Sequence, residues 1–245
     1  MRPVLLVLSA ILAIAYGLSG SSLYQGEPPY VAGAVFKASS IVILALTALF
    51  GADDGRLDRA PPGAHAGRRP ALQLANKLLA AGLLFGALGD ALLAWSPDTF
   101  LYGALAFLIG HLFYIALFLR AGLGIAALRQ PPRLIVAIAL IAAAIVMTSL
   151  LVPRDNAMFV PLAIYTGVLT LMAIASFTLP AAHRLAMAGA VLFFISDGFV
   201  AANMFHPLDD PSLGYWRSFA GWMIYWAGQA AICFGVLGLQ RPKSS

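Results

Sequence analysis

Charged residues are scarce in this sequence. Asp, Glu, Lys and Arg make up 10% of the 245 residues, whereas hydrophobic residues make up 61%. Soluble globular domains carry about 25% charged residues. The shortage of charge excludes an ordinary soluble domain, and with it the reading of the net charge of +5 as a nucleic-acid-binding surface. We predict an all-α, polytopic integral membrane protein with a single transmembrane domain, residues 1–245.

Cysteine and nucleophile motifs are also scarce. Cys233 is the only cysteine, so neither a disulfide within the chain nor a cysteine-based metal site can form. No Gly-x-Ser-x-Gly motif, which presents the nucleophile of many serine hydrolases, occurs. His111 is the only histidine deep inside an apolar run, so we predict no metal and no cofactor. Asp90, His111 and Asp197 together leave a metal site open as an alternative.

Eight apolar runs are long enough to form membrane-spanning helices. A helix needs about 20 apolar residues to cross ~30 Å of hydrocarbon. The first run resembles a secretory signal, but no clear cleavage site follows it, and we interpret it as a first transmembrane helix. The eight predicted transmembrane helices lie near residues 3–20, 32–50, 73–95, 98–120, 132–152, 157–178, 183–205 and 215–238.

The basic residues are concentrated in every second loop. Cytoplasmic loops of membrane proteins hold the excess of Lys and Arg, so both termini are predicted to be cytoplasmic. The long linker 51–72 is then a flexible cytoplasmic loop. Frequent Ala and Arg indicate a bacterial inner membrane. Only Arg154 and Arg217 fall on the opposite side, against Arg2, Arg56, Arg59, Arg68, Arg69, Arg120, Arg129, Arg133, Arg184, Arg241 and Lys243.

A pattern centred on an aspartate occurs twice. The segment LFGALGDALLA at 84–94 contains Asp90, and LFFISDGFVA at 192–201 contains Asp197. Further along, GHLFY at 110–114 is matched by GWMIY at 221–225. An even number of spans separates the two aspartates. The sequence therefore indicates a four-plus-four parallel repeat, related by an axis along the membrane normal.

Several polar side chains are predicted to lie inside the apolar helices. An ionisable residue there is a functional-site hypothesis, because a charge in hydrocarbon is costly unless something compensates it. Structural alternatives are an ion pair that only fixes packing, a hydrogen-bonded core histidine, and a tyrosine and a glutamine that satisfy each other. We expect six side chains to line one cavity in the outer half of the membrane: Lys37, Asp90, His111, Asp197, Tyr225 and Gln229.

Two carboxylates in a poorly solvated cavity favour acid–base chemistry. One of them can keep a proton while the other stays ionised. Such a pair suits a reaction through an oxocarbenium ion, in which an acid supplies a proton and a carboxylate stabilises the cation or activates water. A substrate reached from within the membrane would be a lipid. The alternatives are a small transporter or proton-coupled carrier that uses the same aspartates, and an accessory membrane protein.

Four short motifs together resemble a known family. They are Gly89-Asp90, the Phe-x-x-Gly-His-x-x-Tyr run at 107–114, Ser196-Asp197, and Tyr225 with Gln229. In this order and spacing they resemble the YhhN family of membrane proteins, whose characterised members are lysoplasmalogenases. One departure is visible: the family often has Lys-Pro in helix two, where this sequence has Lys37-Ala38.

The resemblance implies a reaction and a set of site residues. The reaction is hydrolysis of the vinyl ether bond of lysoplasmenyl-ethanolamine or lysoplasmenyl-choline, which gives a fatty aldehyde and a glycerophospho-base. Asp90 and Asp197 would be catalytic, with neither identified as the acid, and the partner would be a lysophospholipid in the membrane. Lys37 would hold the lipid phosphate. The implied substrate-binding residues are Lys37, His111, Tyr114, Ser196, Tyr225 and Gln229.

Overall fold

The computed structural model describes residues 2–19, 30–50 and 68–238, and these residues form eight α-helices. Residues 51–67 of the predicted linker lie outside the described residues. The helices are α1 Arg2–Ser19, α2 Val31–Phe50, α3 Arg68–Trp95, α4 Phe100–Ala121, α5 Pro131–Leu151, α6 Phe159–Ser176, α7 Arg184–Phe205 and α8 Pro211–Leu237. Short 3-10 helices occupy Pro97–Thr99, Ile125–Arg129 and Ala181–His183 in the connections.

Seven of these helices are long and apolar enough to cross a membrane, and α1 supplies a shorter apolar helix. The chain is therefore an all-helical polytopic membrane protein, as predicted. Each of the eight predicted runs corresponds to one helix. The largest differences are at the starts of α3 and α8, because hydropathy detects the apolar part of a helix and not its polar first turn.

The early start of α8 comes from an N-cap. The Asp210 carboxylate accepts hydrogen bonds from the backbone N–H and the hydroxyl of Ser212, at 2.8 and 2.7 Å. Pro211 occupies the first helical position, where its missing N–H is harmless. The hydroxyl of Ser212, with its backbone N–H, holds the pKa of Asp210 below its usual value. Pro131 begins α5, and Pro161 lies in the first turn of α6, where a missing backbone N–H breaks no hydrogen bond of the helix.

Glycines allow α7 and α8 to pack backbone to backbone. A Cβ added to Gly189 would lie 2.6 Å from the carbonyl oxygen of Gly228, and one added to Gly228 would lie 2.9 Å from that of Gly189. Small residues commonly permit such approaches between membrane helices. The obstructing atoms belong to the backbone, so they cannot turn aside as a side chain can. This contact fixes α7, and with it Asp197, against α8.

Gly189→Ala is expected to destabilise the protein by about 1–3 kcal/mol, the usual cost of overpacking a tight contact. Thermal unfolding of the purified protein in detergent measures the loss. The matched control is Gly167→Ala in α6, where an added Cβ meets nothing within 4 Å. It should be at least as stable as the wild type, because Ala favours helix more than Gly does. Equal stability of the two variants would show that α7 and α8 are not packed this closely.

Candidate active site

A cavity of about 700 Å³ opens at the end of the bundle where α7 and α8 are joined. All eight helices contribute to its walls, which are largely apolar. The aspartates from the two halves of the chain both lie on this one cavity, as predicted. Its polar lining on the deeper side consists of Lys37, Asp90, Tyr165, Ser196, Asp197 and Tyr225.

Asp90 is buried and has two partners. The Lys37 Nζ lies 3.4 Å from Asp90 Oδ1, and the Tyr225 hydroxyl donates a 2.7 Å hydrogen bond to Oδ2. The Lys37 ammonium also lies 5.3 Å from the centre of the Trp222 ring and 6.0 Å from that of Tyr16. The predicted ion pair is present. Both partners favour the ionised carboxylate, since hydrogen bonds to a charged group are stronger than those between neutral groups.

A chain of hydrogen bonds from Tyr114 and Gln229 orients the Tyr225 hydroxyl. The Tyr114 hydroxyl donates to Gln229 Oε1 at 2.6 Å, and Gln229 Nε2 donates to the Tyr225 hydroxyl oxygen at 3.1 Å. The Tyr225 hydroxyl in turn donates its hydrogen bond to Asp90. Its hydroxyl is thus held in the orientation that directs its proton to Asp90.

Gln229 and Tyr114 do not line the cavity, so the expectation that Gln229 does so was wrong. Both side chains are buried. Gln229 lies one turn of α8 beyond Tyr225, which places it beneath that tyrosine and toward α4. Neither residue is therefore part of the cavity surface, and their hydrogen bonds lead to Tyr225, which is.

Asp197 has a different environment. The Tyr165 hydroxyl donates a 2.5 Å hydrogen bond to Asp197 Oδ2. Ser196 Oγ lies 3.4 Å from Oδ1, but its shorter bond, 2.6 Å, goes to the backbone oxygen of Phe193. Within the described part of the chain no cationic side chain pairs with Asp197. The two aspartates therefore differ in charge balance, although they share the cavity.

Tyr165 was not predicted. The sequence indicates this residue only weakly, by a hydroxyl group within the apolar helix α6. Tyrosine also packs well in ordinary cores, so the hydroxyl alone does not distinguish a functional residue. The proposed repeat offers a second signal, because α6 corresponds to α2, the helix that supplies Lys37 to the other aspartate.

His111 is fully buried and does not line the cavity. Its ring packs against Phe193 and Tyr165, with centroids 4.9 and 5.4 Å apart. Neither ring nitrogen has a hydrogen-bond partner among the described residues. Both the cavity-lining expectation and the hydrogen-bonded alternative were wrong, because α4 turns position 111 toward α6 and α7. Tyr165, against which His111 packs, lines the cavity instead.

Metal ligands do not come together in the structure. Across residues 2–19, 30–50 and 68–238, no three His, Cys, Asp or Glu side chains group closely enough to hold a metal ion. The alternative of a site made by Asp90, His111 and Asp197 therefore lacks the required geometry.

Known proteins resemble this chain over most of its helices. The YhhN family model matches residues 32–236. Lysoplasmalogenase TMEM86B of Mus musculus is 35% identical over 128 residues, which cover 52% of this chain and 51% of the mouse protein. The match thus spans about half the length of that relative. No solved structure matches the chain significantly. Because the family match runs from the start of α2 to the end of α8, the protein belongs to the YhhN family.

Proposed function

We propose that the protein is a lysoplasmalogenase. It hydrolyses the vinyl ether bond of lysoplasmenyl-ethanolamine or lysoplasmenyl-choline to a fatty aldehyde and glycerophosphoethanolamine or glycerophosphocholine. The observation that carries the proposal is the pair Asp90 and Asp197, two carboxylates with different partners on one largely apolar cavity. Membership of the YhhN family and the likeness to a mouse protein named lysoplasmalogenase support it.

The partners of the two carboxylates suggest which is the acid. Lys37 and Tyr225 both stabilise an ionised Asp90. Asp197 has a hydroxyl partner in Tyr165 but no paired cation among the described residues. Asp197 is half-buried on a largely apolar cavity, where an ionised carboxylate without a cation is costly. We therefore assign Asp197 as the proton donor and Asp90 as the carboxylate that stays charged.

The reaction follows from this assignment. Asp197 gives its proton to the vinyl ether carbon that is not bonded to oxygen. The other carbon becomes an oxocarbenium ion, which the Asp90 carboxylate stabilises. Water then adds to this carbon and loses a proton to Asp90, which gives a hemiacetal. Collapse of the hemiacetal breaks the bond between its carbon and the glycerol oxygen, the hydroxyl proton moves to that oxygen, and the aldehyde is released. Return of the proton from Asp90 to Asp197 restores the starting state.

Lys37 is better placed to hold Asp90 than to hold the lipid phosphate. Its ammonium is already paired with a carboxylate and lies near two aromatic rings. A phosphate bound to it would have to displace Asp90 from its only paired cation in the described chain. We therefore assign Lys37 to positioning and charging Asp90.

Arg217 is the cation we assign to the phosphate. It is not part of the cavity lining but lies beside its open end, next to two residues that line it. Its Nε donates to Asn203 Oδ1 at 2.5 Å, and its Nη2 donates to the His206 carbonyl oxygen at 2.9 Å. Asn203 and Ser218, which are hydrogen-bonded to each other, line the open end of the cavity. Nη1 of Arg217 makes no hydrogen bond with the described residues. Eight residues of α8, about 12 Å, separate Arg217 from Tyr225, which leaves room for the glycerol between phosphate and carboxylates.

Arg217→Gln is expected to raise the KM for lysoplasmenyl-ethanolamine about tenfold to a hundredfold, with kcat little changed. A hydrogen bond to a charged group contributes about 1.5–3 kcal/mol, which corresponds to this range. Steady-state kinetics with the phospholipid, and with a 1-alkenylglycerol that lacks the phosphate, measure the effect. Only the phospholipid should be affected.

The control for this prediction is Arg154→Gln. Arg154 is exposed in the α5–α6 connection, outside the cavity. The Arg154→Gln variant should have the wild-type KM for both substrates. An equal loss on the phospholipid and on the phosphate-free substrate would contradict the phosphate role of Arg217.

We also propose how the helices lie in the membrane. α1 crosses it as an eighth transmembrane helix, both termini are cytoplasmic, and the membrane is a bacterial inner membrane. The excess of Arg in alternate loops supports this orientation. The four-plus-four parallel repeat is supported by two equivalent pairs: Lys37 on α2 with Asp90 on α3, and Tyr165 on α6 with Asp197 on α7.

The activity is tested with two lysolipids that differ in the bond between the hydrocarbon chain and the glycerol, which is a vinyl ether in one and an ester in the other. Purified protein is incubated with lysoplasmenyl-ethanolamine and, separately, with its ester-linked counterpart. Free fatty aldehyde is expected from the first and no fatty acid from the second. Fatty acid without aldehyde would contradict the proposal. Uptake of lipid into proteoliposomes with no product formed would favour the carrier alternative.

A further inference from the structure

A second pocket, of about 670 Å³, lies between α5 and α6. It is lined by eight residues of α6 between Ala163 and Ile174 and by five of α5, and we call it the α5–α6 groove. The five residues of α5 are Ile141, Ala144, Ile145, Thr148 and Ser149. Most of the side chains that line it are aliphatic. Thr148 and Thr166 line both the groove and the active cavity. These two threonines therefore lie between the two spaces, and the groove adjoins the cavity that holds the aspartates.

α5 is the helix least enclosed by the protein. Only 11% of its apolar stretch is buried, whereas each of the other six candidate spans is at least 39% buried. Its buried positions are Ala137, Leu140 and Ala144, two of which are small. A hydrocarbon chain from the membrane can therefore reach the groove along α5 without passing through a closely packed helix pair.

We propose that the α5–α6 groove holds the hydrocarbon chain of the lipid substrate. The inference rests on the proposed function and extends it to the site for the chain. The vinyl ether end enters the cavity past Thr148 and Thr166, while the head group remains at the open end with Arg217. From Thr166 to Ile174 the groove follows α6 for about 12 Å. It thus takes the first part of a long chain and leaves the remainder in the bilayer.

Gly167 is the position at which the groove can be filled. It lies in the groove wall, and a Cβ there would meet nothing within 4 Å. A larger side chain can enter the groove without displacing protein atoms. Each methylene removed from an apolar site weakens binding about fourfold. A leucine side chain that displaces two methylenes of the substrate should therefore weaken binding about fifteenfold.

The test uses lysoplasmenyl-ethanolamine with a sixteen-carbon alkenyl chain and an analogue with a two-carbon ethenyl chain, which is too short to enter the groove. In the wild type, kcat/KM for aldehyde release should be higher for the longer chain. In Gly167→Leu the ratio of long-chain to short-chain kcat/KM should fall about fifteenfold, and in Gly167→Ala it should fall less. Ala143→Leu, which adds bulk to an exposed position of α5 outside the groove, should keep the wild-type ratio.

Each outcome supports or overturns the groove. An unchanged ratio in Gly167→Leu, or the same fall in Ala143→Leu, overturns it. If Gly167→Leu does not fold, the ratio in Gly167→Ala decides, and a wild-type ratio there overturns the inference as well. A wild-type protein that releases no aldehyde from either lipid would instead refute the proposed function, which is a separate result.

Discussion

Asp197→Asn is expected to lower the rate of aldehyde release by about 10²- to 10⁴-fold, the usual contribution of a general acid. An amide cannot give a proton to the vinyl ether carbon. It has nearly the same shape as the carboxyl group, and its oxygen can still accept the hydrogen bond of Tyr165. The variant should therefore stay folded. The measurement is kcat with lysoplasmenyl-ethanolamine, together with thermal unfolding of the same preparation.

Two further variants sharpen this test. Asp90→Asn should also be inactive, but it leaves the Lys37 ammonium without its anion, so its loss of activity is less specific. Asp98→Asn changes an exposed aspartate at the α3–α4 turn and should keep wild-type activity. Turnover at the wild-type rate by both Asp197→Asn and Asp90→Asn would rule out the two-carboxylate mechanism.

Lys37→Met is expected to destabilise the folded protein by about 3–5 kcal/mol, the cost of removing one partner from a buried ion pair. Asp90 is only 1% exposed, and Lys37 is its one paired cation in the described chain. Methionine keeps an unbranched side chain of similar length and removes the charge. For a protein of this size the melting temperature should fall by about 10 °C. Aldehyde release should also be lost, because Asp90 would no longer be held in its charged form.

The double variant Lys37→Met/Asp90→Asn separates the two effects. Removal of both charges should recover most of the lost stability, whereas activity should stay lost because the carboxylate is missing. The control is Lys77→Met, at an exposed position of α3, which should change the free energy of unfolding by less than about 0.5 kcal/mol. If Lys37→Met were as stable and as active as the wild type, the ion pair would have neither role.

The helices and the shared cavity were predictable from the sequence for a simple physical reason. Apolar runs of spanning length leave little choice of secondary structure, because backbone polar groups in lipid must be satisfied within the helix. A lysine and two aspartates in such helices must also find compensation inside the protein. That requirement predicts the Lys37–Asp90 pair and the placement of Asp197 toward the interior, both of which the structure contains.

The rotation of each helix about its own axis was not predictable in the same way. A helix that is apolar all around gives no pattern that distinguishes its faces. His111 and Gln229 were therefore assigned to the cavity, although neighbouring helices enclose both. Tyr165 was overlooked for the same reason, since nothing in the apolar sequence of α6 shows that it faces Asp197. Packing between helices decides these orientations, and it is visible only in the folded structure.

The most direct test of carbon protonation is aldehyde release by the wild-type protein in deuterium oxide. Asp197 exchanges its proton with solvent and then delivers it to the vinyl ether carbon. We predict an aldehyde with one deuterium on the carbon next to the carbonyl, formed at the rate of turnover. Unlabelled aldehyde of the same chain length, incubated in deuterium oxide with Asp197→Asn protein, measures how much deuterium enters by slow exchange after release. Product aldehyde with no deuterium beyond that correction, or no aldehyde at all, would contradict the mechanism.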